Sequence, residues 1–323
     1  MSSPETLYET LRAEMSQVVV GNEAVIEGLT IALLTDGHVL LEGVPGVAKT
    51  TIAQAFSRAL GLSYSRVQMT PDMVPVDISG TNVYRQQTGE FELRRGPVFA
   101  NVVVADEINR ATPKTQSALL EAMEESNVTI DGQTLQLPQP FIVVATQNPI
   151  EMEGVFELPE AQRDRFRFKY VIELPTRTNE RAVLDRFDED PPIDVREVTQ
   201  VIDQEAIAAA RRTVEEVYVA DPVKTYMLDV VTATREATAL QHGGSPRATL
   251  SFLTGAKARA AIRGRKYVIP DDVKALAKPV LTHRVIRTTD AELADRSTTE
   301  IVDDLLADVT TPSGDVSMAA TKD

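Results

Sequence analysis

Val39-Leu40-Leu41-Glu42-Gly43-Val44-Pro45-Gly46-Val47-Ala48-Lys49-Thr50 decides the fold: an apolar strand runs into a glycine-containing turn, and a lysine and a hydroxyl open the helix that follows. A triphosphate needs backbone N–H groups converging at a helix N-terminus, a lysine reaching the β- and γ-phosphates, and a hydroxyl for the magnesium ion. Gly43, Gly46, Lys49 and Thr50 supply these, and Val44, Pro45, Val47, Ala48 and Thr51 complete the binding segment. The strict form of such a loop has glycine before the lysine. Ala48 stands there, which keeps the N–H but is expected to exclude a strongly left-handed backbone.

Four apolar residues, Val102 to Ala105, run straight into Asp106-Glu107. Carboxylates at the end of a buried strand face the ligand crevice of an α/β sheet. Asp106 is placed to hold magnesium through water and Glu107 to orient the attacking water, because phosphoryl transfer rests on positioning and charge stabilisation. The run Phe141 to Gln147 leads to Asn148-Pro149, which sets a neutral amide beside the same crevice; taken alone, Asn148 reads more simply as a turn residue. Two arginines complete the set. In Gln162-Arg163-Asp164-Arg165-Phe166, Arg165 has the position of an arginine finger for a neighbour's phosphate, with Arg163 competing for the role. Arg247 follows the N-cap Ser245 and Pro246, so it sits in a first helical turn where the macrodipole disfavours a cation; a phosphate facing this turn would account for it.

Buried strands are expected at 39–41, 64–67, 102–105, 141–145 and 168–172. Helices are expected at 3–16, from the cap Asn22 to about Leu33, at 49–60 and at 115–125, the alternation of a parallel sheet covered by helices. Beyond Pro175 the strand signal stops. Helices are expected near 179–187, 203–217, 221–240, 246–263 and 270–285, with Asp188-Glu189-Asp190-Pro191-Pro192 a loop. The fold class is therefore an α/β P-loop domain (parallel sheet flanked by helices) over residues 1–177, followed by an all-α domain over 178–288. Residues 289–323 are acidic, with Arg296 and Lys322 the only cations, and read as a partly disordered tail.

The whole chain of 323 residues carries 33 basic and 48 acidic side chains, a net charge of −15 that argues against a general nucleic-acid or anionic-membrane surface. The excess of arginine over lysine and the acidity suggest a salt-rich cytoplasm. With no cysteine, disulfides, zinc–thiolate sites, iron–sulfur clusters and thiol nucleophiles are excluded, and three isolated histidines make no metal site. No apolar run approaches the ~20 residues that span a bilayer. The first residues, Met1 to Glu5, lack the basic start of a secretory signal, so a cytoplasmic protein is expected.

These residues resemble the MoxR family of AAA+ ATPases. The similar segments are Leu40 to Thr50, Thr70-Pro71-Asp72, Gly96 to Asn101 through Ala105 to Arg110, Gln116 to Glu125, Asp131-Gly132-Gln133, Ala145 to Pro149, Leu158 to Gln162 and Ser245 to Ala248, and the similarity spans about Val18 to Val285. The resemblance implies Walker A at Gly43 to Thr50, Walker B at Asp106-Glu107, sensor 1 at Asn148, an arginine finger at Arg165, sensor 2 at Arg247, and the Val20-Gly21 backbone beside the adenine. It implies ATP and Mg2+ as cofactors, with Thr50 and Asp106 at the metal. It also implies a homo-oligomeric ring, commonly a hexamer, with ATP sites between subunits and a lid domain that moves when Arg247 loses the γ-phosphate. The family's work is ATP-driven, chaperone-like remodelling or maturation of a protein complex, alongside a partner with a von Willebrand factor A domain. Arg163 departs from the family's leucine, which keeps the finger open between Arg163 and Arg165.

Two polar hairpins mark this branch of AAA+ proteins: Thr81 to Leu93, turning at Thr88-Gly89 with Tyr84 and Phe91, and Val128 to Leu137, turning at Asp131-Gly132. They either face a client or are plain edge hairpins. Two other readings compete with the remodelling ATPase. One is a nucleotide-dependent scaffold without obligatory turnover, against which Glu107 stands. The other is a DNA-remodelling or chelatase-type motor, for which the basic stretch Lys257 to Lys266 is the only support; its helical spacing reads first as a solvated face or subunit contact.

Overall fold

The five expected strands pair into one parallel sheet in the computed structural model, which describes residues 3–149, 154–189 and 194–312. Helices α1 (Pro4–Met15) and α2 (Glu23–Leu34) precede β1 (Val39–Glu42), which feeds the phosphate loop and α3 (Lys49–Ala59). Then follow β2 (Tyr64–Gln68), α4 (Pro75–Ser79) and the hairpin β3 (Gly80–Arg85) and β4 (Glu90–Arg95). Next are β5 (Val102–Asp106), α5 (Pro113–Glu125), the hairpin β6 (Asn127–Ile130) and β7 (Gln133–Gln136), β8 (Ile142–Gln147), α6 (Glu160–Arg163) and β9 (Phe168–Val171). The sheet order is β2-β5-β8-β1-β9. Its inner strands β5, β8 and β1 are covered on both faces, which is why they are continuous apolar runs without alternation. The edge strand β2 is different: only Val67 is buried, and Arg66 and Gln68 share one exposed side. Both hairpins form as expected, with Tyr84 opposite Phe91 and left-handed backbone at Asp131 and Gly132.

The second domain comprises α7 (Arg177–Glu189), α8 (Gln204–Glu215), α9 (Asp221–Glu236), β10 (Leu240–His242), α10 (Pro246–Ile262), α11 (Pro270–Leu281), β11 (Ile286–Arg287), α12 (Thr289–Leu293) and α13 (Thr298–Asp308). It departs from an all-α reading in one place. The helix from Asp221 stops at Glu236, and Leu240–His242 pairs antiparallel with Ile286–Arg287. Gly243 permits this, since a Cβ there would lie 2.5 Å from the Arg235 backbone nitrogen. The expected loop begins later than anticipated, because α7 continues through Asp188 and Glu189; residues 190–193 lie outside the described residues.

The acidic segment from 289 is not a tail over its first twenty residues. Ser297 and Glu300 form a reciprocal capping box that starts α13, and Ile301 and Val302 are buried, with Leu305 and Leu306 packed one turn on. Charge composition outweighed this short apolar stripe in the sequence reading. Of the last dozen residues, expected to be disordered, 313–323 lie outside the described residues. A smaller correction concerns Asn22: its φ is 64° and its side chain makes no cap, because a capping residue needs extended backbone.

One apolar core joins the two domains. Leu7, Leu11 and Met15 of α1 are fully buried, and α1 packs against α3 on one side and α8 and α10 on the other. Glu27 of α2 pairs with Arg259 of α10 and with Arg263, which caps that helix, at 2.9 and 2.6 Å. Through α1, α2 and α10 this packing joins the second domain to the α/β domain.

Candidate nucleotide-binding site

Three sequence-distant segments meet because β5, β8 and β1 are adjacent and parallel, so their C-terminal ends open at one edge. Glu42 registers with Gln147, Ala105 with Ala145, and the Gly43 N–H donates to the Gln147 carbonyl at 3.2 Å. The resulting cleft of about 430 Å³ is lined by Pro45 to Thr51, Asp106, Glu107 and Asn148, together with Arg66 and Thr146. The first three sequence motifs therefore stand together. Asn148 is buried at the wall.

Asp106 is the hub. Its Oδ1 accepts from the Thr146 hydroxyl at 2.6 Å, and its Oδ2 faces the Thr50 hydroxyl at 3.3 Å. Thr146 also accepts from the Glu107 N–H at 2.9 Å, fixing the backbone between the two carboxylates. Glu107 takes a left-handed conformation, φ 57°, and its Oε2 accepts from Gln68 at 2.8 Å and Arg110 at 3.0 Å. Arg66 donates from Nε and Nη2 to Asp106 Oδ2, at 3.0 and 2.6 Å.

The loop itself carries strain. Ala48 has φ 60° and ψ 21°, so the expectation that its Cβ would exclude a left-handed backbone fails. Such a conformation costs an alanine roughly 1–2 kcal/mol, and it is held where α3 must start with its N–H groups aimed into the cleft. Gly46, φ +86°, has open space where a Cβ would point. The Lys49 ammonium lies within the loop, donating to the Gly43 and Val44 carbonyls at 2.5 and 2.8 Å. Partial burial lowers its pKa against the opposing pull of Asp106 and Glu107. Thr50 Oγ1 and Asp106 Oδ2, hydrogen-bonded at 3.3 Å, are two neighbouring hard oxygens of the kind that would hold a magnesium ion directly and through water, and the loop amides at the start of α3 suit a phosphate chain. The residues fit both groups.

Arg165 and Arg247 are brought together, but not in this cleft. Both reach Glu124 in the last turn of α5: Arg165 Nη2 at 2.8 Å and Arg247 Nη2 at 2.6 Å. Arg165 also donates to the Leu120 carbonyl at 2.6 Å. The anion facing the first turn of α10 is thus a carboxylate of the same chain, and the C-terminal end of α5 adds favourable dipole for two cations. Arg163 lies elsewhere, beside Lys169 and His283 in a separate cavity that borders Asn148. Gly21 packs against Asn179 near the start of α7, where a Cβ would meet its side-chain nitrogen at 2.7 Å; neither Val20 nor Gly21 lines the phosphate cleft.

Arg66, Gln68, Thr146 and Glu124 were not singled out from sequence. Arg66 stands out only as a charge within the strand expected at 64–67, and that does not name the carboxylate it meets. The basic stretch Lys257 to Lys266 is largely paired inside the fold, through Lys257 to the Glu215 carbonyl, Arg259 to Glu27 and Asp272, Arg263 to Glu27, and Arg265 to Asp272. That removes the support for a nucleic-acid surface there. Among the described residues no helix is long and apolar enough to cross a membrane.

Residues 38–168 match the family described as ATPase family associated with various cellular activities (AAA), and 232–305 match the AAA lid domain. The chain is 45% identical over 298 residues to Chaperone MoxR1 of Mycobacterium tuberculosis, covering 90% of this chain and 78% of that protein. It is 33% identical to Protein MoxR of Methylorubrum extorquens, covering 84% and 85%. A crystal structure from Cytophaga hutchinsonii, provisionally assigned as an ATPase, superposes with a TM-score of 0.88 at 37% identity, covering 96% of this chain and 97% of that one. With the phosphate loop, the paired carboxylates and the lid in place, the chain belongs to the MoxR family of AAA+ ATPases.

Proposed function

We propose that this chain hydrolyses ATP with Mg2+ at sites completed between subunits of a homo-oligomeric ring, commonly a hexamer, and uses the cycle to remodel or mature a partner protein complex. The observation that carries it is the division of the machinery. Lys49, Thr50, Asp106, Glu107 and Asn148 share one cleft, while Arg165 and Arg247 stand as a pair on Glu124 outside it. The cleft's own arginines, Arg66 and Arg110, are held on the carboxylates Asp106 and Glu107, so a site with a water-orienting carboxylate still fits completion by the neighbour's arginine pair.

In this reading Lys49 and the loop amides bind and orient the phosphates, and Thr50 and Asp106 hold the metal, which supplies charge neutralisation on the phosphate chain. Glu107 orients the attacking water. Arg247 then acts toward the neighbour's nucleotide and not its own, so the movement expected of the lid becomes a movement between subunits. The shared core of α1, α2 and α10 supports this, since it ties the lid to its own α/β domain.

The chaperone-like role rests on the name of the Mycobacterium tuberculosis relative. A von Willebrand factor A domain partner and a cytoplasmic setting belong to the same proposal. The exposed aromatic pair Tyr84 and Phe91, 54% and 72% accessible with ring centres 5.3 Å apart, is the proposed client contact. The test is ATP turnover per subunit against protein concentration, for the wild type and Glu107→Gln. Turnover per subunit should rise with concentration and fall about a hundredfold or more in the variant. ATP binding without turnover at any concentration would favour the scaffold.

A further inference from the structure

We infer that Arg66 is a displaceable counter-ion of Asp106, a positioning residue that occupies the metal-facing carboxylate oxygen and yields it to Mg2+. The inference rests on the nucleotide reading above and adds a residue to it.

Of the two Asp106 oxygens, Oδ1 is committed to Thr146. The other, Oδ2, faces the Thr50 hydroxyl, and it is this oxygen that receives both Arg66 donors. Mg2+ held by Thr50 and by Asp106, directly or through its water, brings two positive charges against the guanidinium at the same oxygen. Arg66 and the ion therefore cannot both keep their best positions. The two partners differ in freedom. Asp106 is pinned, its side chain 11% exposed, whereas Arg66 is 51% exposed on an edge strand and has solvent to swing into.

A second contact makes the exchange consequential. Arg66 Nη2 also donates to Gln68 Oε1 at 3.3 Å, and Gln68 Nε2 donates to Glu107 Oε2 at 2.8 Å. The side chains of β2 thus form a bridge from the metal carboxylate to the water-orienting carboxylate. When Arg66 leaves Asp106, Gln68 loses a donor to its carbonyl and its hold on Glu107 loosens. Arrival of the metal is in this way coupled to loosening of one of the two donors on Glu107 Oε2, while Arg110 keeps the other at 3.0 Å.

The plain alternative is that Arg66 only neutralises a nearly buried aspartate, which would show in stability and not in metal dependence. The experiment is a Mg2+ titration of binding of a fluorescent ATP analogue to the full chain, for the wild type, Arg66→Met and Arg66→Lys, with thermal unfolding measured in parallel. Arg66→Met should lower the Mg2+ concentration for half-maximal binding by about three- to tenfold, the effect of removing one screened unit charge a few ångströms from a divalent ion. Arg66→Lys should stay close to the wild type. Metal-free binding should be the same in all three. An unchanged or raised Mg2+ requirement in Arg66→Met overturns the inference. If Arg66→Met does not fold, Arg66→Gln is read by the same titration and the same two outcomes. Failure of the wild type to bind nucleotide at any Mg2+ concentration would instead overturn the nucleotide reading itself.

Discussion

Glu124 in the last turn of α5 and Arg247 in the first turn of α10 are joined at 2.6 Å across the junction of the two domains, and the second Glu124 oxygen holds Arg165 at 2.8 Å. One carboxylate therefore sets two guanidinium groups side by side, the arrangement a phosphate oxygen from a neighbouring subunit would meet. All three side chains are partly exposed, so the pairs contribute no more than about 1 kcal/mol each to the fold. Glu124→Gln should leave thermal unfolding nearly unchanged. It should also lower the protein concentration for half-maximal ATP turnover, because the arginines no longer favour their own chain's carboxylate. A large loss of stability with no change in concentration dependence would make Glu124 a structural residue only.

The strained alanine of the phosphate loop gives a sharper test of local energetics. Ala48→Gly relieves roughly 1–2 kcal/mol of left-handed strain and loses about 0.5–1 kcal/mol to unfolded-chain entropy, so a net gain of about 0–1.5 kcal/mol is expected. Ala48→Val should lose at least about 1 kcal/mol, as a β-branched side chain is poorer still at φ 60°. Denaturant unfolding checks both, and a destabilised glycine variant would mean that the backbone there is not strained.

Stability should fall on acidification in a window set by His38. Its ring is enclosed, with Nδ1 accepting from the Val143 N–H and Nε2 donating to the Met123 carbonyl, both at 3.0 Å. Burial pushes its pKa from 6.5 down to about 4, with Arg167 nearby adding to the fall and Asp36 opposing it. Between these values the unfolded chain takes up a proton that the folded chain refuses. The contribution is complete above pH 6.5 and is lost toward pH 4, to a total of about 3 kcal/mol. Unfolding followed against pH should show a shallower slope in His38→Gln than in the wild type; an equal slope would assign the acid sensitivity to other groups.

Tyr84 and Phe91 stand opposite each other on an exposed hairpin. Replacing both with serine should cost no more than about 1 kcal/mol and leave basal ATP turnover intact, since neither touches the nucleotide cleft. Stimulation of turnover by a client or partner should be lost. If it survives, the hairpin is an edge element and the client contact lies elsewhere.

The sheet and its loop were legible in sequence for a physical reason. Strands buried on both faces must be apolar throughout, so Val102 to Ala105 and Phe141 to Ala145 stand out, and the carboxylates that end the first of these runs mark the open edge of the sheet. What failed was local or contextual. The left-handed backbone of Ala48 is imposed by the start of α3 and contradicts the residue's own preference. The helix at Thr298–Asp308 was hidden because four aliphatic side chains are outnumbered by polar and charged ones, although a single turn of apolar spacing suffices to dock it. Arg66 was passed over because a charged residue within a short strand says nothing about which carboxylate the neighbouring strand will present. The separation of Arg247 from the cleft is set by the packing of α10 on α1 and α2, and that of Arg165 by the turn between α6 and β9 and its bonds to α5; long-range placement of that kind leaves no trace in residue spacing.

The shared site is tested most directly by mixing subunits. Glu107→Gln removes the water-orienting carboxylate from one chain's cleft, and Arg165→Ala removes an arginine from the pair placed to serve a neighbour. Each variant alone should be nearly inactive. In mixed rings some interfaces combine an intact Glu107 from one subunit with an intact Arg165 from the next, so ATP turnover should rise above either variant alone and pass through a maximum as the ratio is varied. If no mixture exceeds the sum of its parts while the two variants co-assemble, Arg165 does not act on its neighbour's nucleotide, and the account of a site built from two chains is wrong.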